Sequence, residues 1–328
     1  MTVASQRRAA DETPPTALNI AIAIGSITIY CIALWTASHA TSVWVQLLAV
    51  LVFANVGNTL FALLHESVHG IFSRNFTINE IFGQLVAMCF PTGLRFQRTC
   101  HLGHHLRNRT DHEIFDMYYP TDNRFLKYFQ FYCILTGLYW LSVPFGCLMY
   151  LFFPIGYRMF QTPLLGKTQT DSAMLLPFLN HPAKHRIRLE LLLTLGFQVA
   201  LFLLLDLSFW PTLACFWAFG MYWGSLQYAD HAWSPRDIRE GAWNLRVNPV
   251  TRFVFLNYHY HLVHHMRPRL PWLYLPRYVD HSKPRPGFLR IYLEMWKGPK
   301  PIDAPPPRVL DEAFLRQIDE NEVRWSAS

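Results

Sequence analysis

The residues best placed to do chemistry in this 328-residue chain are its histidines, of which there are fifteen, most of them clustered. The first cluster is His65-Glu66-Ser67-Val68-His69, the second His101-Leu102-Gly103-His104-His105, the third His261-Leu262-Val263-His264-His265. On a helix, positions i, i+3 and i+4 share a face, so each cluster can aim two or three imidazoles at one point. Neutral imidazole is a good ligand for iron, zinc and copper. One HxxxH pair on an apolar helix is often incidental. One HxxxH with two HxxHH clusters is better explained by metal, because coordination offsets the desolvation cost of buried imidazoles. A fourth position, Gln227-Tyr228-Ala229-Asp230-His231, sets Gln227 and His231 at i, i+4 beside an apolar run. His231 is a further candidate ligand, and Gln227 a candidate for contact through a bound water.

The candidate ligands are therefore His65, His69, His101, His104, His105, His231, His261, His264 and His265. A single tetrahedral site takes about four ligands. Nine suit two ions with four or five each. His39, His112, His181, His185 and His281 are expected at surfaces or membrane borders, and His259 points off the His261 face. Imidazoles held by a metal need partners for their outer nitrogens. The nearest polar candidates are Glu66, Asp111, Asp230 and Asn257, each of which could equally cap a helix or form a surface pair. Arg95, Arg98, Arg107 and Arg109 crowd the second cluster, where they could meet a lipid phosphate, an anionic substrate or an acidic donor, or simply mark the cytoplasmic side.

Other chemistries fit less of the pattern. The first cluster is also HExxH, the zinc metalloprotease signature, with Glu66 as general base. A membrane zinc protease would need only one more ligand and would leave both HxxHH clusters idle. A metal carrier or scaffold without catalysis is a third reading. The six cysteines form no CxxC pair and sit mostly in apolar runs, as buried thiols do. Carboxylate-bridged di-iron bundles use two Glu-x-x-His pairs, and these boxes offer only one, Glu66-Ser67-Val68-His69. Any Gly-rich dinucleotide fingerprint or haem motif is missing.

The elements that must position the histidines follow from composition. Only 16% of residues are charged, against about 25% in soluble domains, and 52% are hydrophobic. The net charge of +7 does not point to nucleic acid, because the basic residues flank apolar runs. Residues 17–37 and 43–64 are long enough to cross a bilayer and form a hairpin that ends at His65. Arg7 and Arg8 place the N-terminus inside. The run 81–94 is too short to cross and reads as interfacial or re-entrant. Residues 189–209 and 210–228 make a second hairpin. Between the hairpins, 129–157 is interrupted by Pro144 and Pro154. Crossing once, it would put the basic run Lys184–Arg188 and the third cluster outside, so it is expected to cross an even number of times, most simply none. The expected fold is an all-α integral-membrane helical bundle, with four transmembrane helices as two hairpins under a cytoplasmic histidine-rich cap. The expected divisions are a disordered arm at 1–16, a membrane domain at 17–300 and a polar tail at 301–328. The N-terminus carries no cleavable signal pattern, so its first apolar run is expected to remain as an anchor.

Three such boxes, in this order between two membrane hairpins, resemble the membrane fatty acid desaturase superfamily, over about residues 43–280. Gly70 after the first box, and Asn257-Tyr258-His259-Tyr260-His261 through Pro271-Trp272, are similar to bacterial members. His231 matches the extra histidine that members carry before the third box, and Gln227 stands where some have Asn. The resemblance implies a di-iron centre held by the nine histidines, with dioxygen as co-substrate and a fatty acyl or other lipid alkyl chain as substrate. The implied reaction is desaturation; relatives with the same centre hydroxylate, ketolate or decarboxylate a fatty acid to a terminal alkene. With no reductase domain in the sequence, electrons are expected from a ferredoxin, rubredoxin or cytochrome partner and its reductase. The expected location is a bacterial inner membrane, with both termini cytoplasmic.

Overall fold

The structure is a computed structural model that describes residues 12–154 and 181–307. Most of the expected N-terminal arm, most of the expected C-terminal tail and residues 155–180 lie outside the described residues. Helix α1 (Thr16–His39) and helix α2 (Val43–Val68) form the expected first hairpin, turning at Ala40–Ser42. Neither carries a charged residue before Glu66, and both turn Ile, Leu and Trp side chains outward, including Ile32, Leu48 and Leu51. Such outward apolar faces are what a bilayer solvates.

Helix α3 (Phe76–Cys89) starts at Asn75, whose side chain accepts from the Ile78 N–H. Its fourteen residues are too few to cross a bilayer. Helix α4 (Leu94–Arg107) carries the second box. A two-residue strand, β1 (Met117–Tyr118), pairs in parallel with β2 (Lys300–Pro301). Helices α5 (Arg124–Leu135) and α6 (Leu138–Phe152) meet at a 90° bend. The bend turns on Gly137, whose φ of +81° suits glycine and which lies so close to Met221 that a Cβ would stand 2.9 Å from its backbone nitrogen. Helix α7 (Lys184–Leu204) and helix α8 (Phe209–Ala229) follow. The cap consists of α9 (Pro249–Val254), α10 (His261–Met266), a 3₁₀ turn (Leu275–Tyr278) and α11 (Phe288–Met295).

Hydrogen bonds give the direction of each long helix. At the histidine end, Trp272 Nε1 donates to Asn19 Oδ1 and Tyr274 hydroxyl to the Thr13 carbonyl. At the far end the Ser208 N–H donates to Ser38 Oγ, so the α7–α8 turn lies beside the α1–α2 turn. Four helices thus run the length of the bundle. Helices α1, α2 and α7 are long and apolar enough to cross a membrane. Helix α8 has the length of α7, but its Trp, Tyr and Gln residues make it less apolar. The α5–α6 pair enters from the histidine end, bends beside Met221, and returns with Tyr150 under Arg188 at the start of α7. The bent pair is the broken segment that the proline interruptions of 129–157 announce. The second hairpin is splayed: α7 packs chiefly on α3, α4 and α6, and α8 chiefly on α2, α1 and α6.

Candidate metal centre

Each box sits where a helix ends. His65 lies in the last turn of α2 and His69 at its C-cap; His101, His104 and His105 fill the last two turns of α4. His231 follows the end of α8, and the third box is helix α10 itself. Arg98 holds the first two boxes in register. Its guanidinium donates to the Ser67 and Val68 carbonyls at the end of α2 and pairs with Glu80 of α3. Downstream of α4, the buried Arg109 forks onto Asp116, which also accepts from the Tyr228 hydroxyl and the Trp233 N–H. That node ties the chain after the second box to the end of α8, next to His231.

All nine candidate histidines come together, in two groups. His65, His69, His101, His105 and His264 form one; His104, His231, His261 and His265 form the other; within each group the ligand nitrogens lie within 4.8 Å of one another. Each HxxHH box serves both groups. Its i, i+4 pair, His101/His105 or His261/His265, stays on one group, and the remaining histidine, His104 or His264, crosses to the other.

The nitrogen spacing suits ions. In the first group, Nε2–Nε2 distances are 2.9 Å for His69–His101, 3.1 Å for His101–His105, 2.9 Å for His105–His264 and 3.1 Å for His264–His65. In the second they are 2.9 Å for His231–His261 and 3.2 Å for His261–His265. Two nitrogens each ~2.1 Å from one ion, at right angles, are ~3.0 Å apart. Hydrogen bonds alone do not explain this chain of contacts, because each Nε2 has a single in-plane site and His101, His105, His264 and His261 each meet two neighbours. Burial, then repulsion between neighbouring imidazoles, pulls the pKa of His69, His101, His105 and His264 well below the ordinary histidine value. The same causes act on His231, His261 and His265. Neutral imidazoles with free lone pairs are the form a metal takes.

Two of the outer nitrogens find partners that spacing did not mark, while those of His261 and His265 are buried without one. His104 Nδ1 meets Glu113 Oε2 at 2.5 Å, and His231 Nδ1 meets the Gly241 carbonyl at 2.8 Å. Both contacts leave Nε2 facing the group. The four carboxylate and amide candidates are engaged elsewhere or stand alone. Glu66 accepts from the Trp272 N–H, Asp111 pairs with Arg236, and Asn257 bridges Arg252 Nε and the Trp272 carbonyl. Asp230 is fully buried with both oxygens unpartnered, and burial pushes its carboxyl well above the usual range. Gln227 accepts from the Tyr258 hydroxyl at 2.7 Å and leaves its amide nitrogen unpartnered.

Tyr258 is a second residue that spacing did not mark. Its ring lies 4.8 Å from that of His65 in the first group and 4.7 Å from that of His261 in the second. His259 is buried outside both groups, as its off-face position predicts; burial and the charges of Arg252 and Arg285 depress its pKa to about 3. His39, His112, His185 and His281 are exposed and His181 is half-buried. The four arginines near the second box prove internal. Arg95 joins Glu80 and Glu190, Arg98 joins Glu80, Arg107 lies 3.8 Å from Glu113, and Arg109 joins Asp116.

The nine-imidazole geometry converges with an independent comparison. The sequence profile described as fatty acid desaturase matches residues 41–297, more than three quarters of the chain. The chain belongs to the fatty acid desaturase family. It is thus a membrane oxidoreductase of lipids, with histidine clusters suited to metal. A search for individual curated relatives found no match.

Proposed function

We propose that this chain introduces a double bond into a fatty acyl chain, using dioxygen and two irons held by the nine histidines. The observation that carries the reading is the division of nine imidazoles, six buried and three half-buried, into two adjacent sets of five and four. Two irons at these sets would supply the dioxygen-driven removal of hydrogen from an unactivated C–H, with electrons from an external ferredoxin, rubredoxin or cytochrome. The balance is one dioxygen, two electrons, two protons and two substrate hydrogens, giving two waters and an alkene.

The protein's own part is to hold and shield. Nine imidazoles would hold the two ions. Glu113 and the Gly241 carbonyl keep the Nδ1 protons of His104 and His231 outward. Tyr258 and Phe61 wall the first set from the bundle interior. Which hydrogen is removed depends on substrate placement, where about 1 Å can matter. Hydroxylation, ketolation or oxidative decarboxylation would use the same residues with a different placement. In this reading four helices cross a bacterial inner membrane, and both termini share the cytoplasmic face with the histidines.

The zinc-protease reading is disfavoured by Glu66, whose carboxyl group is held by the Trp272 N–H, and by the six or more clustered histidines that it leaves unused. The test is mass spectrometry of lipids and headspace gas from cells expressing the chain, beside His104→Ala, with metal analysis of the purified protein. A new double bond lost in the variant is the expected result. A hydroxyl, a ketone or a volatile alkene one carbon shorter would replace desaturation within the same centre. Unchanged lipids with bound zinc would overturn the proposal.

A further inference from the structure

A second cluster of cationic side chains lies outside the metal groups. Arg252 and Arg285 both approach the ring of Tyr260, with guanidinium carbons 5.9 Å and 5.3 Å from its centre. The ring of His259 lies 4.1 Å from that of Tyr260. The cluster is short of acceptors. His259 is 2% exposed and its Nδ1 is unpartnered, and Arg285 Nε is buried without a partner. Arg252, exposed on α9, uses Nε on Asn257 Oδ1 and has no carboxylate within ion-pair distance among the described residues; nor has the half-buried Arg285. Buried donors left unmet are costly, and two guanidiniums drawn to one ring repel each other. An anion between them answers both costs.

The surroundings indicate which anion. Helix α9 carries Arg252, and its neighbours Val250 and Phe253 are 68% and 80% exposed. The helix leans on the bundle: Val254 accepts from Thr59 Oγ1, nine residues back along α2 from Val68, and Thr251 meets Tyr222 of α8. At 1.5 Å per residue, Thr59 lies about 13 Å from the histidine end of α2. The exposed apolar residues of α9 thus continue the lipid-facing surface of α2 and α8, with the guanidiniums at its edge. Apolar chains beside paired arginines match a phospholipid, whose phosphate accepts the bidentate arginine fork.

We propose that Arg252, Arg285 and the buried His259, gathered on Tyr260, seat the phosphate of an anionic phospholipid whose acyl chains lie along Val250 and Phe253. The site is separate from the histidine sets, and the proposal does not depend on which metal they hold or which reaction they perform. It makes the cap a lipid-anchored element, with α9 pinned at the bilayer surface.

The test is native mass spectrometry of the full chain, released from nanodiscs of mixed phosphatidylglycerol and phosphatidylcholine, beside Arg285→Gln and Arg285→Lys. Wild type should retain phosphatidylglycerol in preference to phosphatidylcholine. Arg285→Gln should reduce that preference about fivefold, the worth of one basic residue near a lipid surface. Arg285→Lys should fall between. Phosphatidylcholine retention reports whether each variant is intact, so a misfolded variant is recognised by loss of both lipids. For that case, wild type titrated with dodecanoate is the second measurement. Dodecanoate leaving phosphatidylglycerol bound supports the phosphate assignment, and displacement one for one would assign the seat to a fatty carboxylate and overturn it. Equal retention of both lipids by wild type would also overturn it.

Discussion

At the scale of single residues, the decisive contacts are those on the far side of the imidazoles. Glu113 orients His104, the histidine that leaves its own box to complete the set of four. Glu113→Ala should weaken metal at that set by about 10- to 100-fold, the usual effect of losing a partner of a ligating histidine. Metal content per chain, measured against a graded chelator, should fall by half while the other set stays filled. An unchanged titration would show that Glu113 does not orient His104. Tyr258 separates two roles in one side chain. Tyr258→Phe keeps the ring between His65 and His261 and loses only the bond to Gln227. Tyr258→Ala removes a ring that is 5% exposed, a change that costs about 3–5 kcal/mol for a large buried aromatic. The alanine variant should therefore melt well below wild type in detergent, and the phenylalanine variant close to it. Equal melting of the two variants would mean that the hydroxyl, not the ring, carries the contribution.

At the scale of elements, the site depends on how helix ends are joined. The Arg109–Asp116 pair is buried, with side-chain exposures of 1% and 0%, and links the segment after α4 to α8 through Tyr228. Removing one partner of a buried pair leaves an uncompensated charge and costs about 3–5 kcal/mol. Arg109→Met should lower the thermal midpoint sharply, and Arg109→Met with Asp116→Leu should recover part of the loss. Additive losses in the double variant would show that the two side chains do not act as a pair. The bend between α5 and α6 follows the same logic. Proline interruptions in 129–157 announce a broken segment, but the position of the break is set by Gly137 against Met221, a close approach that no local pattern carries.

At the scale of the whole molecule, the bundle has a histidine end and a far end. Thr13 and Asn19 meet the cap through Tyr274 and Trp272, while Ser38 meets Ser208 at the opposite pole. A cysteine introduced at Ser42 should react with an impermeant maleimide from the side opposite to one introduced at Ser282, in oriented membranes of a variant cleared of its native thiols. Labelling of both from one side would reject the four-crossing arrangement.

The sequence by itself determined the set of candidate ligands and the kind of scaffold. Spacing of three and four residues is a property of one helix, and an apolar run long enough for a bilayer is a property of one segment, so both are written locally. The nine histidines, the first hairpin and the broken character of 129–157 were legible for that reason. The grouping of the ligands was not. His264 joins His65 across 199 positions, and His104 joins His231, His261 and His265. Spacing says that three imidazoles share a face, yet not which point in space each one meets. The partners of Glu66, Asp111 and Asn257, and the pairing of Arg95, Arg98 and Arg109 with internal acids, were decided by the same long-range packing. A charged residue beside a box can face lipid, solvent or a neighbouring helix, and only the docking of α3 and α7 brings Glu80 and Glu190 to Arg95 and Arg98, while the fold of the segment after α4 turns Asp116 onto Arg109.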